Sequence, residues 1–273
     1  MLLRTRTPGP ALAPFVEVFW SFDGHSPAHG FERLLPDGSV ELVINLAEDC
    51  ARVYGRENQQ TVQTFSGCIV AGPHSQFCVI DTAGQNCTIG VHFKPGGAFA
   101  FLGMPASELH DQHVSLDTLW GRFARSLRDR LLEARSASVR LEILESTLLA
   151  RLRRVHALHP AVGFALHEFR GGPQMRTIAE VTGQIGLSSR RFIELFKEQV
   201  GMTPKLYCRV RRFQQVVKSI AGGQDLDWAQ VALDGGYFDQ AHFNHDFRAF
   251  SGLCPTEYAS LACRHPNHVP ILR

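Results

Sequence analysis

The C-terminal part of this 273-residue chain repeats itself, and that repeat narrows the possible folds more than any other feature. Ile178, Ala179, Val181 and Gly186 recur as Trp228, Ala229, Val231 and Gly236, offset by 50 positions. Phe192, Phe196, Gly201 and Pro204 recur as Phe243, Phe247, Gly252 and Pro255, offset by 51. The extra residue falls in a turn, where an insertion is best tolerated. Each copy reads as a helix, a tight glycine turn and a second helix, the helix-turn-helix pattern. A helix over 204–221 joins the copies. At 1.5 Å per residue it spans roughly 27 Å. With the units' own width, that suits two recognition helices in successive major grooves about 34 Å apart.

Capping signals punctuate the same region. "TIAE" at 177–180 is a capping box, Ser188 and Asp239 stand where N-caps belong, and Thr203-Pro204 follows the rule of an N-cap before a first-turn proline. Asp227 with Gln230 opens a further helix and Pro255 another. Gly171-Gly172-Pro173, Gly201 and Gly222-Gly223 mark helix ends.

Residues 1–110 read mostly as strands: "VELVINL" (40–46), "CIVAG" (68–72), "FCVIDTA" (77–83) and "TIGVHF" (88–93), with turns at "PDG" (36–38) and "KPGG" (94–97). Short strands at this spacing predict an antiparallel barrel or sandwich. From Ser115 the period becomes helical. Leu116, Leu119, Phe123, Leu127 and Leu131 form one stripe, and Leu141, Leu144, Leu148, Leu152 and Val155 a second with nearly heptad spacing. The second stripe fits either a helix packed on its own β-domain or a homodimer seam through Leu141, Leu144, Leu148 and Leu152. The expected architecture is α+β with two domains. Residues 1–156 form a β-rich domain with helices from about 115, for which the family resemblance implies a sensing or dimerisation role. Residues 157–273 form an all-α DNA-binding domain, with units at about 177–201 and 227–252.

Composition excludes several classes. No apolar run is long enough to span a bilayer, and "MLLRTRTPGPALAPF" lacks the apolar core of a signal peptide, so a cytoplasmic protein is expected. Seven cysteines with no CxxC pair argue against a disulfide framework and a zinc ribbon. Thirteen histidines raise a metal reading, but "GVHFKPGG" holds one histidine where a cupin metal site shows a pair, and His110 and His113 share only an i, i+3 spacing. No nucleophile elbow, phosphate loop or dinucleotide fingerprint occurs. No catalytic residue, cofactor or metal is therefore expected. A cupin-like metal enzyme and a protein-binding regulator with a degenerate second unit remain the alternatives. The net charge of +2 hides a contrast between a strongly basic 186–220 and an acidic 225–263.

On "IAEVTGQIGLSSRRFIELFKEQVGMTPKLYCRVRRFQQV" and "WAQVALDGGYFDQAHFNHDFRAFSGLCPTEY", residues 160–262 resemble the AraC/XylS family of transcriptional regulators. "LPDGSVELVINL" is similar to the β-rich sensor domains of such proteins. The resemblance implies a regulator that binds promoter DNA and responds to a small-molecule effector, with RNA polymerase open as a second partner. Carried over by position, the first recognition helix presents Ser189, Arg190, Arg191, Ile193, Glu194 and Lys197, while Phe192, Leu195 and Phe196 face inward. Arg190 is the candidate base reader, since an arginine fork matches guanine. Arg191, Lys197, Arg209, Arg211 and Arg212 fall to backbone contacts or solvent. The second helix presents Gln240, Ala241, Asn244, His245 and Arg248. Gln and Asn suit adenine, and His245 offers only a pH-dependent phosphate contact where the family commonly has arginine. Asp246 is expected to face outward, so that removing its charge would raise DNA affinity. In the β-domain, Trp20, Phe22, Phe31, Phe77 and Phe93 are available to line an effector pocket, with His74 or His92 as a polar anchor.

Overall fold

The structure, a computed structural model, describes residues 2–24, 29–152, 158–170, 176–220, 226–261, 263 and 265–272. The helix ends expected at 171–173 and 222–223, Val155, and the boundary at 156/157 lie outside these residues.

Among the described residues the strands are β1 (Leu2–Arg6), β2 (Val16–Asp23), β3 (Phe31–Leu34), β4 (Glu41–Asn45), β5 (Cys50–Tyr54), β6 (Val62–Ser66), β7 (Cys68–Ala71), β8 (Cys78–Asp81), β9 (Cys87–Phe93), β10 (His113–Ser115) and β11 (His268–Ile271). They make two antiparallel sheets. One has the order β1-β2-β9-β4-β7-β10, the other β11-β3-β8-β5-β6. The four strands expected from sequence are β4, β7, β8 and β9. The sheets do not close into a barrel.

On the six-stranded sheet, Phe19, Leu42, Ile44, Val70, Ile89 and Val91 turn to one face and are buried, as the period-2 alternation of strands requires. That face is covered by the helices α1 (Phe99–Leu102), α2 (Leu116–Trp120), α3 (Arg122–Glu133) and α4 (Ala137–Leu152). Here the leucine stripe finds its place. Leu141, Leu144 and Leu148 are at most 4 % exposed and sit in the same core as the strands, with Leu152 packed against its edge. A dimer seam through these residues is thereby corrected: burial against their own sheet leaves them no surface for a second copy. Periodicity shows that a helix has an apolar face; it does not say what covers that face.

Beyond α4 the helices are α5 (Pro160–Glu168), α6 (Ile178–Ile185), α7 (Ser189–Val200), α8 (Pro204–Ile220), α9 (Trp228–Asp234), α10 (Gln240–Ser251) and α11 (Pro255–Ser260). The capping chemistry is as the sequence reads. Thr177 and Glu180 form a reciprocal box at the start of α6, Ser188 Oγ accepts from the Arg191 amide (3.3 Å), and Asp239 accepts from the His242 amide (2.7 Å).

The chain end departs from expectation. Residues 268–271 do not extend an all-α domain. They form β11, which pairs with β3 at the edge of the five-stranded sheet, with Val269 fully buried. "HVPI" is too short to announce a strand, and its proline is tolerated because β11 is an edge. Gln214 Nε2 of α8 donates to the Pro36 carbonyl (2.9 Å) and to Asn267 Oδ1 (3.0 Å), so the helical region, the β-domain and the tail meet at one side chain.

The intrachain assignment of the leucine stripe is testable. Leu148→Ala should lower the free energy of unfolding by about 2–5 kcal/mol, the range for emptying a buried leucine site, and leave the sedimentation coefficient unchanged. An oligomer that dissociates with no loss of thermal stability would contradict it.

Candidate nucleic-acid interface

Each repeat places one helix across another through a glycine turn. Gly186 (φ 71°) ends α6 and Gly236 (φ 73°) follows α9, both in the left-handed region where a side chain is strained. The second helix of each pair, α7 and α10, turns its phenylalanines inward. Phe192, Phe196, Phe243 and Phe247 are completely buried. The long helix α8 runs between them, with rings in edge contact on both sides: Phe196 with Tyr207 (5.7 Å) and Phe213 with Phe247 (5.2 Å).

With those faces buried, the outward positions follow. On α7, Ser189, Arg190, Arg191, Ile193, Glu194 and Lys197 are all exposed; on α10 so are Gln240, Ala241, Asn244, His245 and Arg248. Of the positions expected to face outward on α7 and α10, all but Asp246 lie on open surface. Arg190, 91 % exposed, is held by Glu194 through Nε to Oε1 at 3.0 Å, and Arg191 approaches the same carboxylate at 4.0 Å. Exposed i,i+4 pairs of this kind contribute only a few tenths of a kcal/mol. Glu194 therefore orients Arg190 without locking it.

Asp246 is corrected. It is 2 % exposed and takes two bonds from Arg209 of α8, at 2.6 Å and 3.2 Å. The repeat explains the placement: offset by 51, Asp246 corresponds to Leu195, which faces inward in the first unit and is buried here. Burial pushes the Asp246 pKa upward, but the hydrogen bonds and charge of Arg209 outweigh it and hold the carboxyl below its ordinary range. Arg209 in turn lies over the Phe250 ring (5.3 Å), while Arg212 lies over Tyr237 (5.3 Å) and donates to the Gly236 carbonyl (3.0 Å). Both arginines, which the sequence assigned to phosphate or solvent, join helices together.

The acidic segment loses its puzzle on the same grounds. Asp227 caps α9, Asp239 caps α10, Glu257 caps α11, Asp234 accepts from Gln230 (2.8 Å), and Asp246 pairs with Arg209. Negative charge at helix N-termini is stabilising. These carboxylates are occupied by the fold, and the outward positions of α10 are uncharged apart from Arg248.

The candidate effector residues fall into three places. Trp20 and His92 share the face of the six-stranded sheet turned away from α3 and α4. Trp20 Nε1 donates to Glu41 Oε1 (2.7 Å), and His92 lies 3.2 Å from Asp37 and 3.9 Å from Glu41. Trp20 pairs with Gly90, where a Cβ would meet its ring at 2.4 Å, so only glycine fits. Phe22, two residues along, is on the same face and half-buried. Glu41 is deeply set, and burial raises its pKa, with Asp37 adding to the shift and His92 opposing it; it nonetheless keeps 34 % of its side chain open to water. Burial, then the charge of Glu41, pushes the Cys78 thiol of the other sheet up to about 12. Phe93, adjacent to His92, necessarily points the other way and packs on Phe101 (5.6 Å) in the helical core. His74 lies elsewhere, against His113 (ring centroids 4.5 Å) and near Asp111 (3.6 Å). Burial, with His74 adding to it, pushes His113 down to about 3. Among the described residues no three His, Cys, Asp or Glu side chains are arranged to hold a metal ion.

Residues 181–260 match the family described as "Helix-turn-helix domain", and residues 4–115 match "Domain of unknown function (DUF6597)". The Photobacterium leiognathi protein named "Probable transcriptional regulator LumQ" is 32% identical over 82 residues, covering 30% of this chain and 33% of that protein, so the match spans about a third of the relative's length. Among solved structures, ToxT from Vibrio cholerae aligns with 94% of this chain and 96% of its own at 8% identity and a TM-score of 0.45; an unsaturated fatty acid bound form of ToxT aligns over 94% of both chains at 10% identity and 0.46. The C-terminal region therefore carries a helix-turn-helix domain.

The Arg209–Asp246 pair generates a prediction. Removing one partner of a fully buried pair costs ~3–5 kcal/mol, and less here, about 2–3 kcal/mol, because Arg209 keeps access to water. Asp246→Asn should destabilise the chain by that amount rather than raise DNA affinity. Because the folded-state pKa is depressed, the pair's stabilisation is present above the ordinary aspartate pKa near 3.9 and is lost as pH falls through the lower folded value. The stability gap between the two proteins should therefore be full at pH 7 and narrow as the pH falls below about 3.9, closing only below the depressed folded value. Equal stability at pH 7 would refute the assignment.

Proposed function

We propose that this chain is a sequence-specific DNA-binding transcriptional regulator that responds to a small molecule. One observation carries the reading most: two helix-turn-helix units, built on one buried aromatic core, leave Arg190, Arg191, Lys197, Gln240 and Asn244 on open surface. Arg190 reads a guanine, Lys197 and Arg191 hold phosphates, and Gln240 and Asn244 read adenine. The reading includes no catalytic step and places the protein in the cytoplasm, next to promoter DNA. Among the described residues no helix is long and apolar enough to cross a membrane. We assign residues up to about 156 to sensing and the remainder, apart from β11, to DNA binding.

This reading places the effector site on the sheet face where Trp20, Phe22 and His92 gather with Glu41 and Asp37. Half-buried polar groups beside an aromatic ring are the usual anchors of a small-molecule site. ToxT has been solved with an unsaturated fatty acid bound; the group here holds two carboxylates and an imidazole. A homodimer would have to form through residues other than the buried leucine stripe, and contact with RNA polymerase through surface that duplex DNA leaves free.

The test uses the full chain and DNA containing its own promoter. Gel shifts should show binding that weakens steeply with salt, as counterion release demands. Arg190→Ala should lose ~1–3 kcal/mol at the cognate site and relax preference at one base pair. Indifference to DNA sequence at every salt concentration would defeat the proposal, and a uniform loss over all sequences would make Arg190 a phosphate contact.

A further inference from the structure

The single residue inserted between the repeats has a consequence at the second reading helix. In the first unit Gly186 is followed by Leu187, which packs on the aromatic core, and then by the cap Ser188. In the second unit Gly236 is followed by two residues before the cap Asp239. Tyr237 takes the inward place, 4 % exposed, with its ring 5.3 Å from Phe243. Phe238, which the offset of 51 aligns with Leu187, is displaced to the outside and is 87 % exposed, the largest exposure among the exposed large apolar side chains. Leaving a phenylalanine in water forgoes about 1.5–3 kcal/mol of burial, so this position gives the fold nothing that a polar residue would not.

Its location indicates what covers it. Phe238 stands one residue before the N-cap of α10, at the end of a recognition helix that meets base edges. The next outward side chains are Gln240 and Ala241, both exposed. An alanine or phenylalanine contacts the 5-methyl of thymine, while Gln and Asn pair with adenine N6 and N7. Gln240 and Asn244 thus supply the adenine contacts and Phe238 with Ala241 the thymine contacts, a set suited to A·T pairs. The first unit has Arg190 where the second has Ala241, and suits guanine.

Building on the DNA-reading function above, we propose that Phe238 is a specificity-determining residue of the second unit and covers a thymine methyl group in the major groove. The test is selection from a random duplex library with the full-length chain, Phe238→Ala and Phe238→Leu. Phe238 is exposed, so all three should melt at the same temperature. The wild type should select a motif with thymine at a defined place in one half-site. Replacing that thymine with deoxyuridine, which removes only the methyl, should weaken wild-type binding about fourfold, the factor for one buried methyl. The same replacement should leave Phe238→Ala unaffected, and Phe238→Leu should keep part of the preference. If Phe238→Ala selects the same motif with the same affinity, and deoxyuridine weakens both proteins equally, the assignment is overturned while DNA reading stands. If the wild type enriches no motif, DNA reading falls, and this inference falls with it.

Discussion

The packing of aromatic rings against α8 is the interaction on which the presentation of two reading helices depends. Phe213 alone touches Phe247 and Phe250, both at 5.2 Å, and Tyr207 touches Phe196 at 5.7 Å. Such rings bury large areas and prefer edge contacts, which resist both rotation and sliding. Both α7 and α10 are thereby held against α8 by buried rings. Arg209 and Asp246 then add a directional contact that apolar packing lacks.

The β-domain reaches the same helices at their far ends. Gly201 and Gly252, equivalent in the repeat, end α7 and α10 with φ of 92° and 71°. A Cβ on Gly201 would meet Pro73 at 2.3 Å, and one on Gly252 would meet Phe77 at 2.5 Å. The segment between β7 and β8 therefore lies against both recognition helices at once, and the Phe77 amide donates to the Phe250 carbonyl (3.0 Å). With β11 paired to β3, the two regions share one core that includes Leu35 and Val269. The glycines are needed at these sites on two counts, the positive φ and the approach of a neighbour.

Much of this was legible in the sequence because it is local. Caps, turns and the 50/51 repeat involve residues within a few positions of each other, and the exposed positions of α7 and α10 follow from where the phenylalanines sit. Asp246 was equally legible through its alignment with Leu195, but its place beside His245 and off the Phe243–Phe247 face pointed to an outward position. Only the partner, Arg209, 37 residues earlier, makes burial tolerable. The leucine stripe on α4 and the strand at 268–271 were ambiguous for one reason: each depends on a surface distant in the chain, which periodicity does not identify. Phe93 was misplaced beside His92 because composition was read without the alternation of faces. The cluster of His74, His113 and Asp111 joins a loop, a strand and a turn, and no spacing in the sequence signals it.

The central claim is that both recognition helices enter DNA from one rigid frame. Hydroxyl-radical footprinting of the full chain on a duplex from its own promoter tests this most directly. Two protected windows on one face of the duplex, centred about 10 base pairs apart, are the predicted result. A single window, confined to the half-site lost with Arg190→Ala, would contradict the account and leave α10 standing off the DNA.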